Sequence, residues 1–213
     1  MDFRIKCALH YGFSLIPGGQ SLNFLFQRYV TRSLPISDEE FIQRVHGFWS
    51  RYEALKAAGL KTDVYFEFGA GWDLIAPLTF SLLGFKRLIC IDLRPLIRPE
   101  IIHSTISRFV SLKDSLPFSV GDLIVPDRID VDTLRREYRI EYMAPCNAAA
   151  TGLPDDSVDL VFSNNVLEHI PEGLMPDILG ECRRLLRVDG FCDFQIDYQD
   201  HWSYFDQSIG IYN

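Results

Sequence analysis

Glu67-Phe68-Gly69-Ala70-Gly71-Trp72-Asp73 combines two things that a small charged ligand requires, backbone that can approach closely and a carboxylate beside it. The two glycines let the chain turn sharply and come near a ligand that side chains would exclude, although such a pair also suits a plain turn. The residues after them read as a helix whose first amides face the same space. Leu74 stands where a dinucleotide fingerprint needs its third glycine, which counts against NAD and FAD. Glu67 lies inside an apolar run, where an unpaired carboxylate is costly. The amino group of a ligand would offset that cost, and a pyrophosphate would be repelled. Asp92 ends the next apolar run, where a carboxylate can accept both hydroxyls of a ribose; the plainer alternative there is a loop or helix-capping carboxylate.

The elements that must hold these residues follow from periodicity. Ser37 and Glu40 form the signature of a capping box, and Phe41, Ile42, Val45, Phe48, Trp49, Tyr52 and Leu55 recur at helical spacing until Gly59. From residue 63, short apolar runs alternate with helical ones. Strands are expected at 64–68, 87–92, 142–146, 158–163 and 191–197, with helices ending at Gly84 and near Arg187. This alternation predicts an α/β fold, a three-layer α/β/α sandwich with a mainly parallel sheet, which binds ligands outside the carboxyl ends of its strands. Residues 1–60 are expected to form an N-terminal helical segment acting as a lid or cap, and 61–213 the sheet domain. A stretch at about 94–140 is too long for a loop plus one helix and reads as an insertion. The chain stops at Asn213, soon after the fifth run, so the sheet is expected to lack the terminal strands of a closing hairpin.

The runs FEFGAGWD, ICIDL, NAAATGLPDDSVDLVFSNNVLEHIP and RRLLRVDGFCDFQID together resemble class I S-adenosylmethionine-dependent methyltransferases, particularly the broad type 11 group, over roughly residues 62–198. The resemblance implies a Rossmann-like fold and S-adenosyl-L-methionine as cofactor. Carried over by position, it implies that Glu67, Gly69, Ala70 and Gly71 hold the methionine part, Asp92 the ribose, and Leu93 the side of the adenine. Such enzymes commonly place an acidic residue against the adenine amino group; Asn147 stands there, followed by Ala148, so an amide oxygen would accept that bond without the charge. Ser163 and Asn164 would line the channel between cofactor and acceptor.

Methyl transfer from a sulfonium is an in-line displacement, and a base is needed only for a poorly acidic hydroxyl. His169, and His201 with Asp200, are the candidate bases, His being suited to take a proton near neutral pH. Turn and loop roles are the alternatives for all three. The expected function is methyl transfer to a small-molecule or glycan-like acceptor at oxygen, the alternative being a non-catalytic cofactor-binding module that regulates or scaffolds a partner.

Composition narrows the partners. A formal charge of −8 argues against a surface that gathers nucleic acid. No apolar run reaches the length of a membrane span, and the opening residues do not form a secretory signal, so a cytoplasmic location is expected. The 5 cysteines show no metal-binding spacing, and Cys90 and Cys192, in strand-like runs, are expected to be small buried hydrophobes. No metal site is expected.

Overall fold

The computed structural model describes residue 22, residues 24–30 and residues 34–199. The chain divides into two compact units, Ser37–Ile196 and a second built from the chain on either side of it. In the second unit Phe26–Val30 forms a wide helical turn, with the Arg28 guanidinium 5.9 Å from the Phe24 ring and 5.6 Å from the Tyr29 ring.

The larger unit holds the sheet. Its strands are β1 (Val64–Phe68), β2 (Arg87–Ile91), β3 (Ile140–Met143), β4 (Val158–Asn164) and β5 (Leu186–Gln195), all parallel, in the order β3-β2-β1-β4-β5. β1 and β4 are covered on both faces, which is why VYFEF and VDLVFS read as nearly continuous apolar runs. The strand order reverses between β1 and β4, and the crevice for a ligand lies at the carboxyl ends there.

Five helices flank the sheet: α1 (Asp38–Ala57), α2 (Ile75–Leu82), α3 (Pro99–Ser111), α4 (Val131–Tyr138) and α5 (Met175–Leu185). Ser37 caps α1 by accepting the Glu40 amide at 3.1 Å, whereas the Glu40 carboxylate takes Arg44 at 2.7 Å. Phe41, Val45 and Phe48 are the buried face of α1. Phe48 meets Phe80 of α2 and Phe162 of β4 at centroid distances of 6.4 and 5.8 Å, and Tyr65 and Phe85 complete this aromatic layer. Burying each such ring contributes roughly 2 to 3 kcal/mol. The opposite sheet face packs Phe66, Phe68, Ile89, Ile91 and Val161 against Ile178, Cys182 and Leu185 of α5.

The segment expected to be an insertion carries α3 and α4. Phe109 of α3 stands edge-on to Phe41 of α1 at 5.0 Å, Arg108 pairs with Asp38 at 2.9 Å, and His46 Nε2 is 3.0 Å from the Ser115 carbonyl. The N-terminal helix and the segment after β2 are therefore packed on each other.

Three details differ from the sequence expectation. β3 starts at buried Ile140 and ends at Met143, because Cys146 has already turned to bond its amide to the Asp92 carbonyl at 2.8 Å. β5 starts at Leu186, directly after α5. Asp189-Gly190 reads as a break but is absorbed as an irregularity in the pairing with β4, where a side chain on Gly190 would press on Leu186 and the Asp159 carbonyl. Cys90 is buried as expected, but Cys192 is exposed because β5 lies at the sheet edge.

Candidate functional site

The glycines of the first loop do different work. Gly69 has φ +75°, its amide donates to the Ile91 carbonyl at 2.8 Å, and a Cβ there would overlap the Val166 side chain in the loop after β4. Its need for glycine is internal packing. Gly71 has φ +76° and a Cβ there would meet nothing within 4 Å. Its bare backbone faces open space, the condition for a ligand to lie against it. Leu74, also left-handed at φ 52°, opens α2 and is fully buried, while Asp73 accepts the Ile75 amide at 3.1 Å and faces Arg44 at 3.6 Å. The third glycine position is thus filled by a core residue.

Asp92 leaves β2 with 4% exposure and accepts the Gly71 amide at 3.2 Å, which brings the two sequence-predicted elements together. Tyr142 at the end of β3 donates its hydroxyl to the same carboxylate at 2.8 Å and accepts the Leu96 amide at 3.1 Å. Nothing local in the sequence marks Tyr142, whose partner is remote along the chain. Burial raises the Asp92 carboxyl to about 6, against the hydrogen bonds from Tyr142 and Gly71. Glu67, 3% exposed, accepts the Tyr65 hydroxyl at 2.8 Å, and burial lifts its carboxyl to about 8, with Asp92 and Asp73 adding like charge. Asp73 is also raised by burial.

Ala70, at 9% exposure, sits between the glycines, and Leu93 is 69% exposed beside Asp92, an apolar side chain open to a flat ligand. Asn147 is exposed and its side-chain oxygen accepts the Ala149 amide at 3.0 Å, while Ala148 packs against the core on the α5 side. Ser163 is fully buried and donates to the Phe68 carbonyl at 3.3 Å, so its hydroxyl ties β4 to β1. His169 is exposed and closes the short turn Leu167–His169 after β4. Asp200 and His201 lie outside the described residues.

Asn164 belongs to a cluster that sequence reasoning missed. Arg51 of α1 binds the Asp193 carboxylate through Nε and Nη2 at 2.7 to 3.0 Å, gives Nη1 to the side-chain oxygens of Asn164 at 3.0 Å and Gln195 at 3.1 Å, and stacks on Phe162 at 4.4 Å. It fastens α1 over the carboxyl ends of β4 and β5. Arg98, at the start of α3, lies 5.7 Å from the Trp72 ring of the glycine loop. Among the described residues, no group of three or more His, Cys, Asp or Glu is arranged to hold a metal ion.

A parallel sheet of order 3-2-1-4-5 with a glycine loop after β1 and a carboxylate after β2 is the doubly wound arrangement, in which ligands generally lie at the switch point. The family model described as a methyltransferase domain matches residues 127–194. The PH0226 protein of Pyrococcus horikoshii is similar in structure, with 14% identity, a TM-score of 0.52, and coverage of 81% of this chain and 66% of its own. Also similar are the 1,6-didemethyltoxoflavin-N1-methyltransferase of Burkholderia thailandensis (14% identity, TM-score 0.48, 85% and 62% covered) and phosphoethanolamine N-methyltransferase 1 of Haemonchus contortus (16%, 0.44, 78% and 34%). The chain spans less than two thirds of the length of each of these structures. No curated protein sequence matches it. Over residues 127–194 the chain is similar to a methyltransferase domain, and its parallel sheet has the Rossmann-like fold that the Pyrococcus horikoshii protein shares. Among the described residues, no helix is long and apolar enough to cross a membrane.

Proposed function

We propose that the protein transfers a methyl group from S-adenosyl-L-methionine to a small-molecule or glycan-like acceptor, at oxygen. The observation that carries the reading is the pairing of an open-faced Gly71 with the buried carboxylates Asp92 and Glu67 at the carboxyl ends of β1 and β2. Bare backbone at Gly71 accommodates the methionine part. Asp92 is held by Tyr142 and Gly71 in position to accept ribose hydroxyls, and Glu67 supplies negative charge toward the amino group. Leu93 provides an apolar surface for the adenine. The Asn147 oxygen, although bonded to Ala149, keeps a second lone pair for the adenine amino group. When bound, the cofactor supplies a methyl carbon on a positively charged sulfur.

The chain's own contribution is then to hold the acceptor oxygen in line and keep water out. Asn164 and its neighbours face the acceptor side. Ser163 acts through the backbone of β4, since its hydroxyl is committed to Phe68. α1 and α3, packed on each other, act as the cover of the site, with Arg51 as its fastening. His169, exposed after β4, is the described group suited to accept a hydroxyl proton. The assay is conversion of S-adenosylmethionine to S-adenosylhomocysteine in the presence of a panel of hydroxylated small molecules and oligosaccharides. Turnover with at least one of them is expected, and His169→Ala should lower it with cofactor affinity unchanged. Cofactor binding without turnover on any acceptor would leave a binding module, and methylation confined to amines would refute the oxygen assignment.

A further inference from the structure

Among the described residues, Glu67 has no cationic partner. It is 3% exposed and accepts a hydrogen bond from the Tyr65 hydroxyl at 2.8 Å, and no ion pair reaches it among the described residues. In register it lies between Cys90 of β2 and Phe162 of β4. The charged or titratable groups that act on this position are Tyr65 on its own strand, Cys90 and Asp92 from β2, Asp73 from the glycine loop and Arg51 from α1. Two of these are carboxylates. The cation, Arg51, is committed to Asp193, Asn164 and Gln195, and Arg44 of the same helix faces Asp73. Phe162 brings no charge, and Tyr142 spends its hydroxyl on Asp92.

A carboxyl in such surroundings favours its neutral form, because burial and like charges both oppose ionisation. We infer that Glu67 holds a proton in the ligand-free protein and releases it to solvent when the positively charged methionine end of the cofactor binds. Cofactor recognition is thereby a proton-coupled reading of ligand charge, an inference that rests on the cofactor assignment above. The O–H bond of the acid breaks, the proton passes to the buffer, and the carboxylate left behind is matched by the ligand's amino group; no other bond changes. The position of the Glu67 carboxyl near 8 puts the coupling at neutral pH, whereas Asp92, near 6, is already mostly ionised there.

The test is titration calorimetry at pH 7 in buffers of different ionisation enthalpy, with S-adenosylmethionine, S-adenosylhomocysteine and adenosine as probes. Wild type should release close to one proton with either methionine-bearing probe and none with adenosine, and Glu67→Gln, a neutral isostere that keeps the Tyr65 hydrogen bond, should release none with any. Between pH 7 and 8 wild-type affinity for S-adenosylhomocysteine should rise with pH by about fivefold, where the Glu67→Gln profile stays nearly flat. Binding without proton release, or equal release by the variant, overturns the inference. A carbon-13 titration of the ligand-free protein, assigned against Glu67→Gln, separates the two readings. A Glu67 midpoint near its ordinary value with binding intact overturns this inference alone, and absence of binding by either methionine-bearing probe overturns the cofactor assignment with it.

Discussion

Asp159 and Glu67 are buried to nearly the same degree, at 2% and 3% exposure, on adjacent strands, yet their surroundings are opposite. Asp159, near the start of β4, accepts the Val64 amide at 2.7 Å and pairs with Arg187 at 2.7 Å. Glu181 on α5 is treated likewise: Thr151 donates its amide at 2.8 Å and its hydroxyl at 2.6 Å, Arg184 binds both oxygens, and these partners, Arg184 foremost, pull its carboxyl down to about 2. At the carboxyl ends, Glu67 and Asp92 have hydroxyl and amide partners but, among the described residues, no cation, and burial pushes both upward. Carboxylates that serve the fold are saturated by it. Those left short of positive charge stand where a cationic ligand is expected, because an unpaired buried carboxylate is otherwise a pure cost.

The comparison can be broken at either end. Asp159→Ala strands the Val64 amide and Arg187 and should cost about 2 to 4 kcal/mol in urea denaturation, without specific effect on the cofactor. Gly69→Ala combines left-handed strain with overlap against Val166 and should cost about 3 kcal/mol by the same measurement. A mutation at this glycine therefore disturbs the fold before it reports on the ligand. Gly71→Ala should cost only about 1 kcal/mol of stability, from its positive φ, yet weaken cofactor binding by at least about tenfold, because its Cβ enters open space. Equal stability losses at the two glycines would erase the distinction between them.

Near pH 5 the smallest effect on stability belongs to Glu67→Gln. In the folded protein burial raises the Glu67 carboxyl to about 8, while in the unfolded chain it loses its proton in the ordinary carboxyl range. Rising pH across that window therefore favours the unfolded chain and wild-type stability should decline. The variant should match wild type within about 0.5 kcal/mol at pH 5 and decline less toward pH 8. Parallel stability profiles would show that Glu67 ionises normally.

The parts legible in the sequence are those whose signal is local. Strand β1, the glycine pair and the carboxylate ending the second strand can be read from neighbours along the chain, and the structure joins them through the Gly71–Asp92 bond. What was not legible depends on partners far apart in sequence. Arg51 finds Asp193, Tyr142 finds Asp92, and Val166 dictates the glycine at 69, and none of these pairings leaves a periodic trace. Ser163 illustrates the limit within a motif: its position at the end of β4 was readable, but the direction of its hydroxyl, toward Phe68, was set by the neighbouring strand. The continuous passage from α5 into β5 was hidden because Asp189-Gly190 has the composition of a turn and the geometry of an irregular strand.

The most direct measurement is calorimetric titration of S-adenosylmethionine into wild type and Asp92→Asn, with the fold of both verified by circular dichroism. One equivalent should bind to wild type, and the amide variant, which keeps the shape but loses the charge, should bind about 100-fold more weakly at unchanged melting temperature. No binding to wild type, or equal affinity in the two proteins, would contradict the placement of the cofactor at the carboxyl ends of β1 and β2.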